Sequence, residues 1–199
     1  MKYEELRKLI KGPYFSRNDI LFSDKTIYDY QLNYWVNKGY LTRLKNGIYA
    51  FADSLEKING EEISTLLYSP SYISLETALS YYGIIPEMVF SYTSVTTKTN
   101  RAFKNKLGNY IYRHIKKTLF WGYLEKGEGE RKCLFAEPEK AVLDYVYLNI
   151  SRINNEHDFL NLRFNMEKIN EVISKEKLAK YLKAFEVKKM ERTIKDCLL

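Results

Sequence analysis

The segment YLTRLKNGIYAF at 40–51 restricts the fold more than any other stretch of this chain. Apolar, aromatic and β-branched residues flank Asn46-Gly47, the dipeptide best suited to the positive φ values of a two-residue hairpin turn. A hairpin is expected there, and whatever precedes it must pack on it. Three short helical patterns precede it. Residues 2–11 place Tyr3, Leu6 and Ile10 at helical spacing until Gly12-Pro13 breaks the pattern. FSRNDILF follows, with Ser16 as the cap and Asp19 three positions on, able to reach back as in a capping box. A third helix is predicted over 25–38, capped by Ser23 or Asp24 and stopped at Lys38-Gly39. At about 100° per residue, Tyr28, Gln31, Leu32 and Trp35 of that helix point to the core, and Lys25, Thr26, Asp29, Tyr30 and Asn33 point away. Three helices and then a basic hairpin is the order of a winged helix-turn-helix, assigned here to residues 1–55.

The polar stretch DSLEKINGEE places a boundary at 53–60, and residues 60–199 read as a second, mixed unit. A short helix is expected at 62–67, and Ser74 caps LETALSYY, which ends at Gly83. The runs VFSYTSVTT, NYIYRHI, LFWGYL and KCLFA are rich in aromatic and β-branched residues and predict strands of one sheet, the last two joined as a hairpin through EKGEGER. Pro138 suits a first helical position, and from about residue 156 the chain is helical, with Leu178, Tyr181, Leu182 and Phe185 on one stripe and Met190, Ile194 and Cys197 on another. The expected fold class is α+β: a winged helix-turn-helix, then an α/β domain with a small sheet and a helical C-terminus.

Thirty-two Lys and Arg against 25 Asp and Glu leave a net charge of +7, which favours polyanions. No apolar run approaches the roughly 18 residues that span a bilayer, and no apolar segment follows Met1, so a cytoplasmic protein without a membrane partner is expected. Cys133 and Cys197 match no metal or redox spacing, and the imidazoles are His114 and His157 alone; neither a metal nor a cofactor is expected. The 18 tyrosines read mainly as core and strand residues.

In a winged helix-turn-helix the third helix presents its N-terminal half to base edges, so Lys25, Thr26, Asp29, Tyr30 and Asn33 are the candidate reading residues. Asn pairs bidentately with adenine and Thr meets a thymine methyl; Asp29 is placed either to read cytosine N4 or to orient Lys25. Arg43, Lys45 and Asn46 would contact phosphates or the minor groove from the hairpin. A second basic surface is also a candidate. Residues 88–124 hold no Asp or Glu but carry Lys98, Arg101, Lys104, Lys106, Arg113, His114, Lys116 and Lys117 among aromatic residues. That block either extends the footprint, binds another polyanion or is a solvated strand face.

Five segments in order, GYLTRLKNGIYAF, YISLETALSYYGIIPE, YTSVTT, YRHIKKTLFWGY and AEPEKAVLDYVYL, resemble the AbiEi-like antitoxins of type IV toxin–antitoxin (abortive infection) systems, a group of winged-helix regulators. The resemblance implies a repressor that binds an inverted repeat in its own promoter, with a larger C-terminal domain that neutralises a toxin. It further implies that the functional partner is a nucleotidyltransferase-like toxin acting without a stable direct complex. Arg43 and Lys45 match the family's basic strand and turn, and Arg113, His114 and Lys116 match its basic strand. A stand-alone regulator with no toxin partner stays open.

Two rival readings come from other classes. Glu76, Glu137, Glu139 and Lys140 are the carboxylates and lysine that a nuclease reading would use, although Pro138 predicts that this string opens a helix, where Glu139 is more simply explained as an acid favourable to the helix dipole. No nucleophile elbow, phosphate loop or deaminase signature is present, and the chain is read as a non-enzyme. The other rival is a protein-binding adaptor whose winged helix serves only as an interaction module.

Overall fold

The computed structural model describes residues 1–21, 23, 25–128 and 131–199. The alternative cap Asp24 and part of the EKGEGER connection lie outside them. The chain forms a mixed α+β structure with two sheets.

The N-terminal part runs α1 (Tyr3–Leu9), β1 (Tyr14–Ser16), α2 (Arg17–Leu21), α3 (Asp29–Asn37), β2 (Leu41–Lys45) and β3 (Ile48–Phe51). Its sheet has the order β1-β3-β2 and is antiparallel throughout. Leu6, Phe15, Ile20, Ile27, Leu32, Trp35, Leu41, Tyr49 and Phe51 fill its core, with Phe15 stacked on Tyr49 and Trp35 set edge-on to Tyr3. Asp19 reaches back to the Ser16 amide at 2.7 Å, as the capping pattern anticipates. Strand β1 is new: its three residues were too few to show a period, and they are held by pairing with β3.

Helix α3 corrects the expectation in two ways. It begins at Asp29, so Lys25 and Thr26 lie in the irregular segment before it, not on the helix. The start is set by Gln31, which accepts from the Tyr28 amide at 3.1 Å, and by Ile27, which is buried in the core and anchors the approach. Tyr28 therefore sits at the cap and is exposed, where periodicity extended four residues too early had turned it inward. Leu32 and Trp35 are buried as expected.

A 3-10 turn (Ala52–Lys57) leads to α4 (Gly60–Leu67), capped by Asn59, which accepts from the Glu61 amide at 3.0 Å. Then come β4 (Ser71–Ile73), α5 (Leu75–Tyr81), β5 (Ser91–Thr96), β6 (Arg101–Asn105), β7 (Gly108–His114), β8 (Tyr123–Glu128) and β9 (Arg131–Ala136). The four runs read as strands do share one sheet, of order β6-β7-β5-β4-β9-β8, although residues 119–122 of LFWGYL lie ahead of β8. Strands β4 and β6 join it unannounced, one too short and the other, RAFKN, too basic to show a pattern. Five C-terminal helices complete the chain: α6 (Pro138–Asn149), with Pro138 at its start, α7 (Glu156–Leu160), α8 (Met166–Val172), α9 (Lys175–Lys183) and α10 (Lys188–Leu198).

One face of the six-stranded sheet, with Tyr72 and Val95, shares a core with α5 and α6 and the helices after them. The other face carries Tyr110 and Tyr112, and its cover comes from two sources. Ile63 and Leu67 of α4 supply one; Leu44, Ile48 and Ala50 of the β2–β3 hairpin supply the other. A third core thus spans the boundary placed at 53–60, and the hairpin packs on the second sheet as well as on its own helices.

Candidate nucleic-acid interface

Asp29, Tyr30, Asn33, Tyr34 and Asn37 form the exposed face of α3. Two arginines converge on it from flanking elements. Arg17, the first residue of α2, donates from Nη1 to Asp29 Oδ1 at 2.6 Å. Arg43 of β2 donates from Nη2 to Asn33 Oδ1 and lies 5.8 Å from the Tyr49 ring. Lys25 reaches Glu5 at 3.8 Å, so the group that Asp29 orients is Arg17, not Lys25. Arg17 was missed from sequence. No local pattern marks it, because only the fold brings the residue opening α2 beside the hairpin turn: the Arg17 amide donates to the Gly47 carbonyl at 2.9 Å. Gly47 has φ +81° but Asn46 does not take a positive φ, so the turn departs from the expected form with positive values at both positions, and the β2–β3 register shifts between Arg43 and Lys45.

The hairpin is not a free finger. Lys45 Nζ donates to the Leu67 carbonyl at 2.6 Å, and Asn105 of β6 donates to the Leu44 carbonyl at 3.3 Å. The Lys45 ammonium lies 5.1 Å from the Phe103 ring and 5.8 Å from that of Tyr68. Burial holds its pKa below the ordinary lysine value, and the positive charges of Lys98 and Arg101 push the same way. Between hairpin and β6 lies a cleft of about 400 Å³, lined by Arg43, Leu44, Lys45 and Asn46 on one side and Arg101, Phe103 and Lys104 on the other.

The second basic set is thereby divided. Lys98, Arg101 and Lys104 adjoin the hairpin side, and Lys98 Nζ donates to the Ser69 carbonyl at 2.5 Å. His114 follows at the end of β7, with Nδ1 2.9 Å from the Lys98 carbonyl. Arg113 alternates to the opposite sheet face from its neighbour Tyr112. Lys106 occupies the β6–β7 turn, and Lys116 and Lys117 follow β7; all three are exposed. A surface of this kind offers hydrogen-bond donors and positive charge to an anion.

The residues named in the nuclease reading are spread over two sites of the second unit. Glu137 accepts from Lys177 at 2.7 Å and from Tyr181 at 2.6 Å, while Glu139 accepts from the Ser174 amide at 3.0 Å, tying the start of α6 to α9. Glu76 stands apart on α5. Lys140 is fully buried and pairs with Asp144 one turn on, which also accepts from Tyr72 Oη at 2.8 Å and Ser74 Oγ at 2.9 Å. The hydroxyl of Ser74 thus serves Asp144 and makes no cap bond to α5. Rings of Tyr72, Trp121 and Phe185 surround the ammonium at 5.1–5.5 Å. Burial pushes Asp144 up and Lys140 down, and their mutual attraction opposes both shifts. Among the described residues, no group of three or more His, Cys, Asp or Glu is placed to hold a metal ion. Cys133 is buried and its thiol is pushed up to about 11 by that burial.

This network joins two of the segments singled out in the sequence. Tyr72 and Ser74 belong to YISLETALSYYGIIPE; Lys140 and Asp144 belong to AEPEKAVLDYVYL. Compared with known proteins, the chain matches no family model and no curated protein sequence. Among the described residues, no helix is long and apolar enough to cross a membrane.

Proposed function

We propose that the chain is a sequence-specific transcriptional regulator whose N-terminal unit is a winged helix-turn-helix, with α3 as the recognition helix and the β2–β3 hairpin as the wing. The observation that carries this reading is the convergence of Arg17 and Arg43 on Asp29 and Asn33 across the exposed face of α3. Such a face supplies base-reading groups at its centre and backbone-binding cations at its edges. The net charge of +7 supports a polyanionic partner. Titrating a fluorescent duplex from upstream of its own gene, at several salt concentrations, tests it. Equal affinity for that duplex and a random one would remove specific regulation; binding insensitive to salt, or none, would remove DNA binding.

The narrower form of the proposal is an autorepressing, cytoplasmic antitoxin of a type IV system that binds an inverted repeat and counters a nucleotidyltransferase-like toxin without a stable complex. Its support is the ordered set of five resembling segments, two of which meet in the Lys140–Asp144 network. Co-expression of the full chain with a nucleotidyltransferase-like protein encoded beside it should restore growth. Undiminished toxicity at good expression would leave the plain regulator.

A further inference from the structure

The cleft between the hairpin and β6 is lined by four cations from two separate parts of the chain, Arg43 and Lys45 on one side and Arg101 and Lys104 on the other. Among the described residues, no carboxylate lines it. Phe103 lies between Lys45 and Arg101, at 5.1 and 5.9 Å from their charged groups. Lys98 stands close enough, with Arg101, to depress the basicity of Lys45. Crowding like charges costs free energy that water alone relieves poorly when one of them is partly buried. The main-chain carbonyls of Leu67 and Ser69 hold Lys45 and Lys98 in place, so the cluster is anchored at its back and open at its front.

The geometry points to a phosphate-binding site in this cleft, bridging the hairpin and the six-stranded sheet. A phosphate group carries the charge and the acceptor oxygens that four donors-only side chains can satisfy together, and Arg101 and Arg43 supply planar forks for it. The phosphate has two sources: the backbone of a bound duplex or a free polyphosphate. The first source rests on the DNA-binding reading proposed above; the second does not. Either way, residues 101–104 become part of a binding surface that α3 and the hairpin alone would not provide.

The test is the double variant Arg101→Ala/Lys104→Ala, with Lys180→Ala/Lys183→Ala on α9 as a control that removes the same charge elsewhere. For duplex binding, the first pair should lower the slope of log affinity against log salt by about two while base preference is kept, and the control should leave the slope unchanged. For the free source, inorganic pyrophosphate should shift the backbone amide resonances at 43–46 and 101–104 of the wild-type chain, and not of the variant. Either result supports the site, and the arm that responds identifies the source. The site is overturned if the cleft variant changes the salt slope no more than the control does and pyrophosphate leaves those amides unshifted. Were the wild-type chain to bind no duplex, the regulator reading would fall and the pyrophosphate arm alone would decide the cleft. Both side chains are exposed, so circular dichroism of the variant should match the wild type.

Discussion

Arg43 and Lys140 carry the same charge in opposite surroundings. Arg43 lies on an exposed face, sharing one hydrogen bond with Asn33 and held beside the Tyr49 ring. Lys140 has no exposed surface, and its partner Asp144 takes two further hydrogen bonds from Tyr72 and Ser74. An exposed guanidinium loses little when its partner is exchanged for a phosphate, because water screens it throughout. A buried ammonium has no such freedom: desolvation costs several kcal/mol per ion, by the usual order of magnitude, and only its fixed partners offset that. The first arrangement leaves the charge available to a ligand; the second commits it to the fold.

That contrast should appear most strongly in Asp144→Ala, which strands a buried ammonium and should lower unfolding stability by about 3–5 kcal/mol in a urea titration. A loss under about 1 kcal/mol would mean that the pair is solvated and the contrast is false. Lys140→Met/Asp144→Leu, removing both charges, should recover most of the loss. At the exposed face, Asn33→Ala should leave the urea midpoint unchanged and cost on the order of 1–3 kcal/mol on the preferred duplex, with random duplex unaffected. Arg17→Ala and Arg43→Ala should each weaken all sequences alike and lower the salt slope by about one. Lys45 tests the ground between: Lys45→Ala should weaken duplex binding and also cost about 1 kcal/mol of stability through the lost bond to the Leu67 carbonyl. Smallest of all, Asp29→Asn should tighten non-specific binding a few-fold, by removing a negative charge beside Arg17.

Local chemistry was legible in the sequence where local chemistry decides. Asn46-Gly47 marked the turn, Pro138 marked the start of α6, and Ser16 with Asp19 marked α2. The start of α3 was missed because the helical period continues through Lys25 and Thr26, while the burial of Ile27 accompanies an irregular segment there. Strands β1, β4 and β6 were missed for a related reason: each exists by virtue of its neighbour, and RAFKN pairs with β7 through a tight turn that composition does not advertise. At the candidate site, Asn33 and Arg43 were legible from helix period and hairpin position. Arg17 was not, since its relevance depends on the Gly47 carbonyl from thirty positions downstream. Nor was the docking of Lys45, which needs Leu67 and Phe103 brought together in three dimensions.

The core that Leu44, Ile48 and Ala50 share with Tyr110 and Tyr112 also limits how this chain can change over generations. A substitution at Tyr112 that suits the sheet must suit the neighbours the hairpin contributes, so the two halves are obliged to vary in step. The outer positions of α3, such as Tyr30 and Asn33, carry no such constraint and are free to change, whereas a hairpin from a distant cousin could not be imported without repairing the sheet beneath it.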